Sequence, residues 1–567
     1  MTSTLGERAV RAAMAIAAGG SLVACGGVSL EPAASAPVAC EKLQGLAILA
    51  ASIGLPTTGA TVTSAKLVEA SGSGATAVPA YCEVAGRIAP VDTTAPNILF
   101  QVGLPVNWNQ KAMMFGGGGF NGSVPSVKNN VPAGPTDQPT PLGRGYATFA
   151  SDSGHQSGPL TTRDGLFAMN DEALRNYGGD ALKKTRDTAV AIIQAHYGKL
   201  PATSYFAGGS NGGRETLTAI QRWPADWDGA IAWYPAWNDV AALLAGQVMG
   251  RALAQPGAYP NPAKRLALFD AALEACDALD GVADGVISHQ NACNARFDPS
   301  TAMLRGAPLR CPGGADTGDT CLSDAQITAL KMINSPFSFK APLLNGDTDH
   351  PGFNVWGADT GITAWNKPTQ AYVSLVNFNT SQPAFPMPVT APFMAILGDQ
   401  WVRYFVARDQ NLNSLEFDPE NMGPWTGRVQ EVSRLLDAKT DISAFQARGG
   451  KLLIAHGLAD TVVSSRPTQE YYRRLQAQLG ASKVDGFVRY YEVPGYGHAS
   501  SQVFNAAWDS LTALDAWRVD GKIPVAQVVA DITGVPGRTR PMCEYPTWPR
   551  YKGRGDANLA ASFECVP

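Results

Sequence analysis

Gly208-Gly209-Ser210-Asn211-Gly212-Gly213 constrains this 567-residue chain more than any other stretch. The run before it, Ser204 to Ala207, is short and apolar like a buried strand. The run after it, Arg214 to Ile220, starts like a helix. A serine on so sharp a strand-to-helix turn has a strained backbone and crowded flanks, so its neighbours must be small. Gly208 and Gly212 meet that need and give the Gly-x-Ser-x-Gly spacing of a nucleophile elbow. The competing reading, an incidental serine in a glycine-rich loop, leaves the strand and the helix unexplained.

A nucleophilic serine needs a base, and the base needs an orienting acid. Lys451 to Gly457 has a buried-strand pattern, and Asp460 follows three residues later. Phe487 to Val493 is another strand, ending in Pro494-Gly495-Tyr496-Gly497-His498. The order Ser210, Asp460, His498 is that of an α/β-hydrolase and differs from the other common triad orders. Asp460 has a second reading as the N-cap of a helix from Arg466 onward, and His498 one as a polar loop residue. His456 precedes the acid on its own strand and reads as a packed core histidine. His155, His196, His289 and His350 lie upstream of the acid, outside the required context.

An oxyanion hole takes backbone N–H groups aimed at developing negative charge. One is expected from Asn211, directly after the serine. The other is expected from Gly116-Gly117-Gly118-Gly119-Phe120-Asn121-Gly122, which follows the apolar strand Lys111 to Phe115. Gly119 is the first choice there and Gly118 the next. No Gly-Lys-Ser/Thr ending follows, so a phosphate loop does not fit.

The length suits one hydrolase domain with a large insertion. Charged residues make up 16% and the net charge is −4, which argues against nucleic-acid binding. The first 25 residues read as an export signal. Arg8 and Arg11 form the positive region, Ala12 to Ala18 the apolar one, and Leu22-Val23-Ala24-Cys25 resembles a lipobox. Cys25 would then be lipidated and be the only membrane attachment, with Gly26 after it favouring the outer membrane. Simple cleavage and release to the periplasm or medium is the alternative. Residues 26–39, small and proline-bearing, read as a flexible tether.

Eight cysteines remain: Cys40, Cys82, Cys276, Cys293, Cys311, Cys321, Cys543 and Cys565. An even number suits an oxidising compartment. Sequential pairing is the simplest arrangement, although eight cysteines permit about 105 connectivities. No Cys-x-x-Cys occurs, so a zinc or redox site is not expected.

The gap from Ser210 to Asp460 is too long for a plain hydrolase. It places a lid at 235–435, between catalytic-domain segments 40–234 and 436–567. Within the lid lies Cys276-Asp277-Ala278-Leu279-Asp280-Gly281-Val282-Ala283-Asp284-Gly285-Val286. Asp277, Asp280 and Asp284, with the carbonyls of Val282 and Val286, could wrap a hard cation without EF-hand spacing. A solvated acidic turn is the other reading. A serine triad has no catalytic use for the ion, so it would be structural.

These residues resemble the tannase and feruloyl esterase family, which includes mono(2-hydroxyethyl) terephthalate hydrolases, over roughly 40–565. The likeness rests on the Gly116 to Gly122 loop, the Ser210 elbow and the acidic stretch from Cys276. Trp401-Val402-Arg403-Tyr404-Phe405-Val406, Ala459-Asp460 and Gly497-His498 add to it. The resemblance implies a structural calcium site and the pairs Cys40–Cys82, Cys276–Cys293, Cys311–Cys321 and Cys543–Cys565. It implies a small aromatic ester as substrate: feruloyl, galloyl or terephthaloyl. Arg403 would then reach a carboxylate or phenolate, with Phe405 stacking on the ring and Trp401 beside it; an arginine paired within the lid is the competing reading. One departure stands out. The family usually has cysteines directly before the serine and after the histidine, where this chain has Gly209 and Ala499.

Gly-Gly-Ser-Asn-Gly-Gly also occurs in prolyl-oligopeptidase-like peptidases. Those carry a large propeller before a late serine, and no blade repeat precedes Ser210. A calcium-bearing surface module with a decayed triad is a third reading, which the intact serine, acid, histidine and glycine loop oppose.

Overall fold

The computed structural model describes residues 37–358, 360, 378–501 and 503–567. The signal at 1–25, Cys25 and most of the tether lie outside the described residues.

Ten strands form the central sheet. They are β1 (Ala47–Ile48), β2 (Gly59–Val68), β3 (Tyr81–Ala89), β4 (Ile98–Pro105), β5 (Lys111–Phe115), β6 (Ala147–Ser151), β7 (Thr203–Gly209), β8 (Gly229–Trp233), β9 (Lys451–Gly457) and β10 (Val488–Val493). Their spatial order is β1-β2-β3-β4-β6-β5-β7-β8-β9-β10. The first four form an antiparallel meander, and β4 meets β6 antiparallel. From β6 through β10 every pairing is parallel.

Parallel strands are covered on both faces, which is why β5, β7, β8 and β9 read as continuous apolar runs rather than alternating ones. Side-chain alternation then splits each run between two cores. Met114, Phe206, Ala230 and Ile454 pack with Leu182 and Ile193 of α1 (Ala181–Tyr197) and with Leu217 and Ile220 of α2 (Asn211–Arg222). Met113, Tyr205, Ile231 and Leu453 face the opposite way, toward Leu511, Leu514 and Trp517. This is the α/β-hydrolase architecture, with the ends of β5, β7, β9 and β10 on one rim.

Among the described residues, nothing between β8 and β9 joins this sheet. That stretch holds α3 (Asp239–Ala254), α4 (Pro262–Cys276), α5 (Phe393–Gln400) and α6 (Thr426–Leu436). Its core, built on Leu244, Leu253, Leu330, Trp401 and Val432, also takes in Phe120, Leu174, Tyr177 and Val463 from the segments on either side. The expected boundary at 435 falls one residue before the end of α6. After β9 come α7 (Ser465–Leu479) and α8 (Ser510–Asp520). Four disulfides close as the resemblance implies: Cys40–Cys82, Cys276–Cys293, Cys311–Cys321 and Cys543–Cys565. Bonds of this kind persist in oxidising compartments, so the chain is an exported protein.

Candidate active site

Ser210 stands between β7 and α2 with φ 61° and ψ −127°. A non-glycine residue held there stores on the order of 1–3 kcal/mol of strain, which the surroundings must offset. They do so through the backbone. Ser210 N–H donates to the Trp233 carbonyl at 3.1 Å, and its own carbonyl accepts from Arg214 and Ala236.

The three far-apart side chains meet. With Nδ1 protonated, His498 donates to Asp460 Oδ2 at 2.7 Å. Its Nε2 accepts the Ser210 hydroxyl proton at 2.9 Å. Asp460 is buried, and its Oδ1 takes the N–H groups of Val462 and Val463. Burial works to raise the Asp460 carboxyl, but the charge of His498 and the partners around it outweigh burial. The group is held well below the ordinary carboxylate range. The N-cap reading of Asp460 is overturned, since Ser464 caps α7 by accepting from Arg466 N–H. His456 is fully buried, bonded to Thr468 Oγ1 and the Val463 carbonyl at 2.9 Å each, as a core histidine should be.

The glycine loop lies against the elbow. Glu215, one helical turn into α2, accepts from Gly117 N–H at 3.0 Å and from Asn211 Nδ2 at 3.3 Å. Burial pushes the Glu215 carboxyl up to about 7, against the pull of neighbouring Arg214. Sequence reading missed this tie; its only signal is an acid on a helix face that is otherwise buried. Two cavities reach Ser210. A front one of about 400 Å³ is lined by Gly118, Gly119, Ser210, Phe393 and His498. A narrow rear one of about 20 Å³ is lined by Gly119, Ser210, Asn211, Asp239 and Phe393. Gly118 and Gly119 border the first of these spaces, and Gly119 and Asn211 the second. A larger groove of about 1060 Å³ opens on the lid beside Asp270, Arg305 and Cys321. It contains no part of the Ser–His–Asp chain, so size alone does not mark the site.

Trp401, Arg403 and Phe405 are not brought to the serine. Arg403 pairs with Asp399 at 3.1 Å, donates to the Gln410 carbonyl at 2.9 Å and lies over the Tyr404 ring. Trp401 packs on Phe417. Phe405 packs on Phe120, Phe167 and Tyr177. Arg403 therefore takes the paired-within-the-lid reading, because its partners lie four residues before and seven after it.

At the acidic stretch, Asp277 accepts from Asp284 and Gly285 N–H groups, Asp280 from Val282 and Asp284 from Val286. Arg540 binds the second oxygen of Asp284. Among the described residues, no three His, Cys, Asp or Glu side chains converge tightly enough to hold a metal. Two observations nevertheless fit a cation. Asp280 Oδ2 is buried with no hydrogen-bond partner. All three carboxyls are raised by burial, Asp280 to about 6; a neighbouring carboxylate's charge adds to this at Asp277 and Asp280, while Arg540 and Arg538 oppose it at Asp284.

Residues 82–566 match the family model described as tannase and feruloyl esterase. The chain belongs to that family. It is 39% identical over 536 residues to an esterase of Agrobacterium fabrum described as uncharacterized, covering 93% of each chain. It is 32% identical over 543 residues to a mono(2-hydroxyethyl) terephthalate hydrolase of Piscinibacter sakaiensis, covering 87% of this chain and 86% of that one. The crystal structure of feruloyl esterase B from Aspergillus oryzae shares the fold. Its TM-score is 0.71 at 22% identity, over 91% of this chain and all of that one. The protein is accordingly a carboxylic ester hydrolase. The glycine that precedes the serine, Gly209, is packed against a ring. A Cβ at Gly209 would lie 2.6 Å from Tyr234 Cε2, so the Tyr234 ring fills the space a side chain there would need. The same ring lies 4.7 Å from that of His498. Tyr234 thus packs between the elbow and the histidine.

Proposed function

We propose that this family member hydrolyses esters of aromatic carboxylic acids through an acyl-enzyme on Ser210. The hydrogen-bonded chain from Ser210 through His498 to Asp460, 2.9 and 2.7 Å, is the observation that supports it most. Oγ attacks the ester carbonyl carbon as His498 Nε2 takes its proton, and Asp460 stabilises the imidazolium. Negative charge on the former carbonyl oxygen faces the N–H groups of Gly119, Gly118 and Asn211. His498 returns the proton to the departing alcohol. Water, deprotonated by the same imidazole, then frees the acid and restores Ser210.

The aromatic acyl class draws support from the terephthalate hydrolase and feruloyl esterase relatives and from the apolar walls beside Ser210. Methyl ferulate, methyl gallate and mono(2-hydroxyethyl) terephthalate, assayed side by side with p-nitrophenyl acetate, test it. Turnover of at least one of the three is expected. Cleavage of p-nitrophenyl acetate with none of the three touched would contradict the aromatic assignment.

A structural calcium ion is proposed at Asp277, Asp280 and Asp284, with the carbonyls of Val282 and Val286; bound there it would neutralise the three carboxylates. Dialysis against EGTA should lower the melting temperature by about 5 °C, and added calcium should restore it. A melting temperature indifferent to chelation would count against the ion.

A further inference from the structure

Asp239 opens α3, where a carboxylate suits the positive end of a helix. That alone would make it a structural residue. Two further observations set it apart. It is 7% exposed, and its Oδ2 is buried without a hydrogen-bond partner. It also lines the narrow cavity that begins at Ser210, as the one carboxylate there. The other walls are mostly apolar, with Leu243, Met394, Leu397, Val462 and Val463 among them. Leaving a buried oxygen without a partner is costly to the fold. A site that tolerates that cost is matched to a donor arriving from outside.

Resting on the aromatic-ester reading above, we propose that Asp239 is a specificity residue that accepts a hydrogen bond from a hydroxyl on the acyl group. The favoured substrates are then esters of hydroxylated aromatic acids, and esters of aromatic dicarboxylic acids are disfavoured. The cavity now has room for about one water molecule, so an aromatic ring enters only as side chains on α5 repack. Met394 and Leu397 are the walls able to yield, methionine being the more adaptable. Once the ring is in place, water is excluded and the Asp239 oxygen has the substrate as its partner. A ring hydroxyl satisfies it. A plain ring leaves it orphaned, and a ring carboxylate sets two like charges together at low dielectric. Burial holds the Asp239 carboxyl near 6, with Arg214 opposing, so around neutral pH it is mainly an acceptor. Arg403, the cation that would favour a dicarboxylic acid, is bonded elsewhere.

The test compares kcat/KM within matched pairs: methyl 4-hydroxycinnamate against methyl cinnamate, and methyl 3,4,5-trihydroxybenzoate against methyl benzoate. Monomethyl terephthalate is the charged member. The unmodified protein should favour the hydroxylated member of at least one pair by about 10-fold or more, with the terephthalate slowest. Asp239→Leu should bring that ratio close to one, and Asp239→Asn should lower it about 3-fold or more while improving the terephthalate relative to methyl benzoate. The ratio is read inside each variant, so a general loss of activity does not mimic the effect. Should the leucine variant fail to fold, the near-isosteric asparagine decides. Hydroxylated-to-plain ratios within 2-fold of one in both pairs, ratios that neither variant moves, or a preference for the terephthalate would each overturn the proposal (about 2-fold being under 0.5 kcal/mol). Failure of every aromatic ester, with p-nitrophenyl acetate still cleaved, would instead remove the reading beneath it.

Discussion

Ser210→Ala is expected to lower kcat on p-nitrophenyl acetate by about 10⁴-fold or more, leaving the fold intact. The size follows from what the hydroxyl does. Without Oγ no acyl-enzyme forms, and His498 and Asp460 have nothing to activate. The replacement is small, and the Ser210 backbone bonds to Trp233, Arg214 and Ala236 need no side chain. Melting temperature should therefore stay within a few degrees while activity falls. Asp460→Asn should follow at about 10⁴-fold, because an amide in place of the acceptor selects the wrong imidazole tautomer. A serine variant that keeps a tenth of the activity would sink the assignment.

Gly208→Ala should have the next largest effect. A Cβ there would lie 2.2 Å from the Gly212 carbonyl oxygen and 2.3 Å from its carbon, both backbone atoms of the first turn of α2. Neither can swing away as a side-chain tip would, so β7 and α2 must separate by more than half an ångström. That displacement reaches the elbow directly and carries the hydroxyl out of line with His498. Misplacement of about 1 Å costs roughly 100-fold in rate. Strain of this kind also destabilises by about 1–3 kcal/mol. Steady-state kinetics together with thermal melting of the variant would show both losses. Wild-type kcat in a folded Gly208→Ala protein would mean that the tight crossing of strand and helix is unimportant.

The parallel part of the fold was legible because its strands are buried on both faces. Lys111 to Phe115 and Lys451 to Gly457 stand out as short apolar runs, and each ends where a loop must deliver a functional group. The triad was legible for the same reason: Ser210, Asp460 and His498 each follow such a strand in the expected order. Residues that act through packing were not. Glu215 holds the glycine loop from a helix, Asp239 reaches the serine cavity from the lid, and Tyr234 fills the space above Gly209. Each depends on contacts between segments far apart or turned by the fold, and no local pattern records them. Arg403 misled in the opposite sense. Its aromatic neighbours suggested a ring pocket, but Trp401 and Phe405 are buried core residues, and Asp399 and Gln410 take the guanidinium. The spacing of Asp399 and Arg403, four residues apart on a helical stretch, was the available signal for that pairing.

Covalent trapping tests the central claim most directly. The full protein, incubated with an alkyl fluorophosphonate and digested for mass spectrometry, should carry one adduct, on the peptide containing Ser210. Ser210→Ala and His498→Ala proteins should stay unlabelled over the same period. Labelling confined to another residue, or an active esterase that resists the reagent altogether, would contradict acyl transfer through this serine.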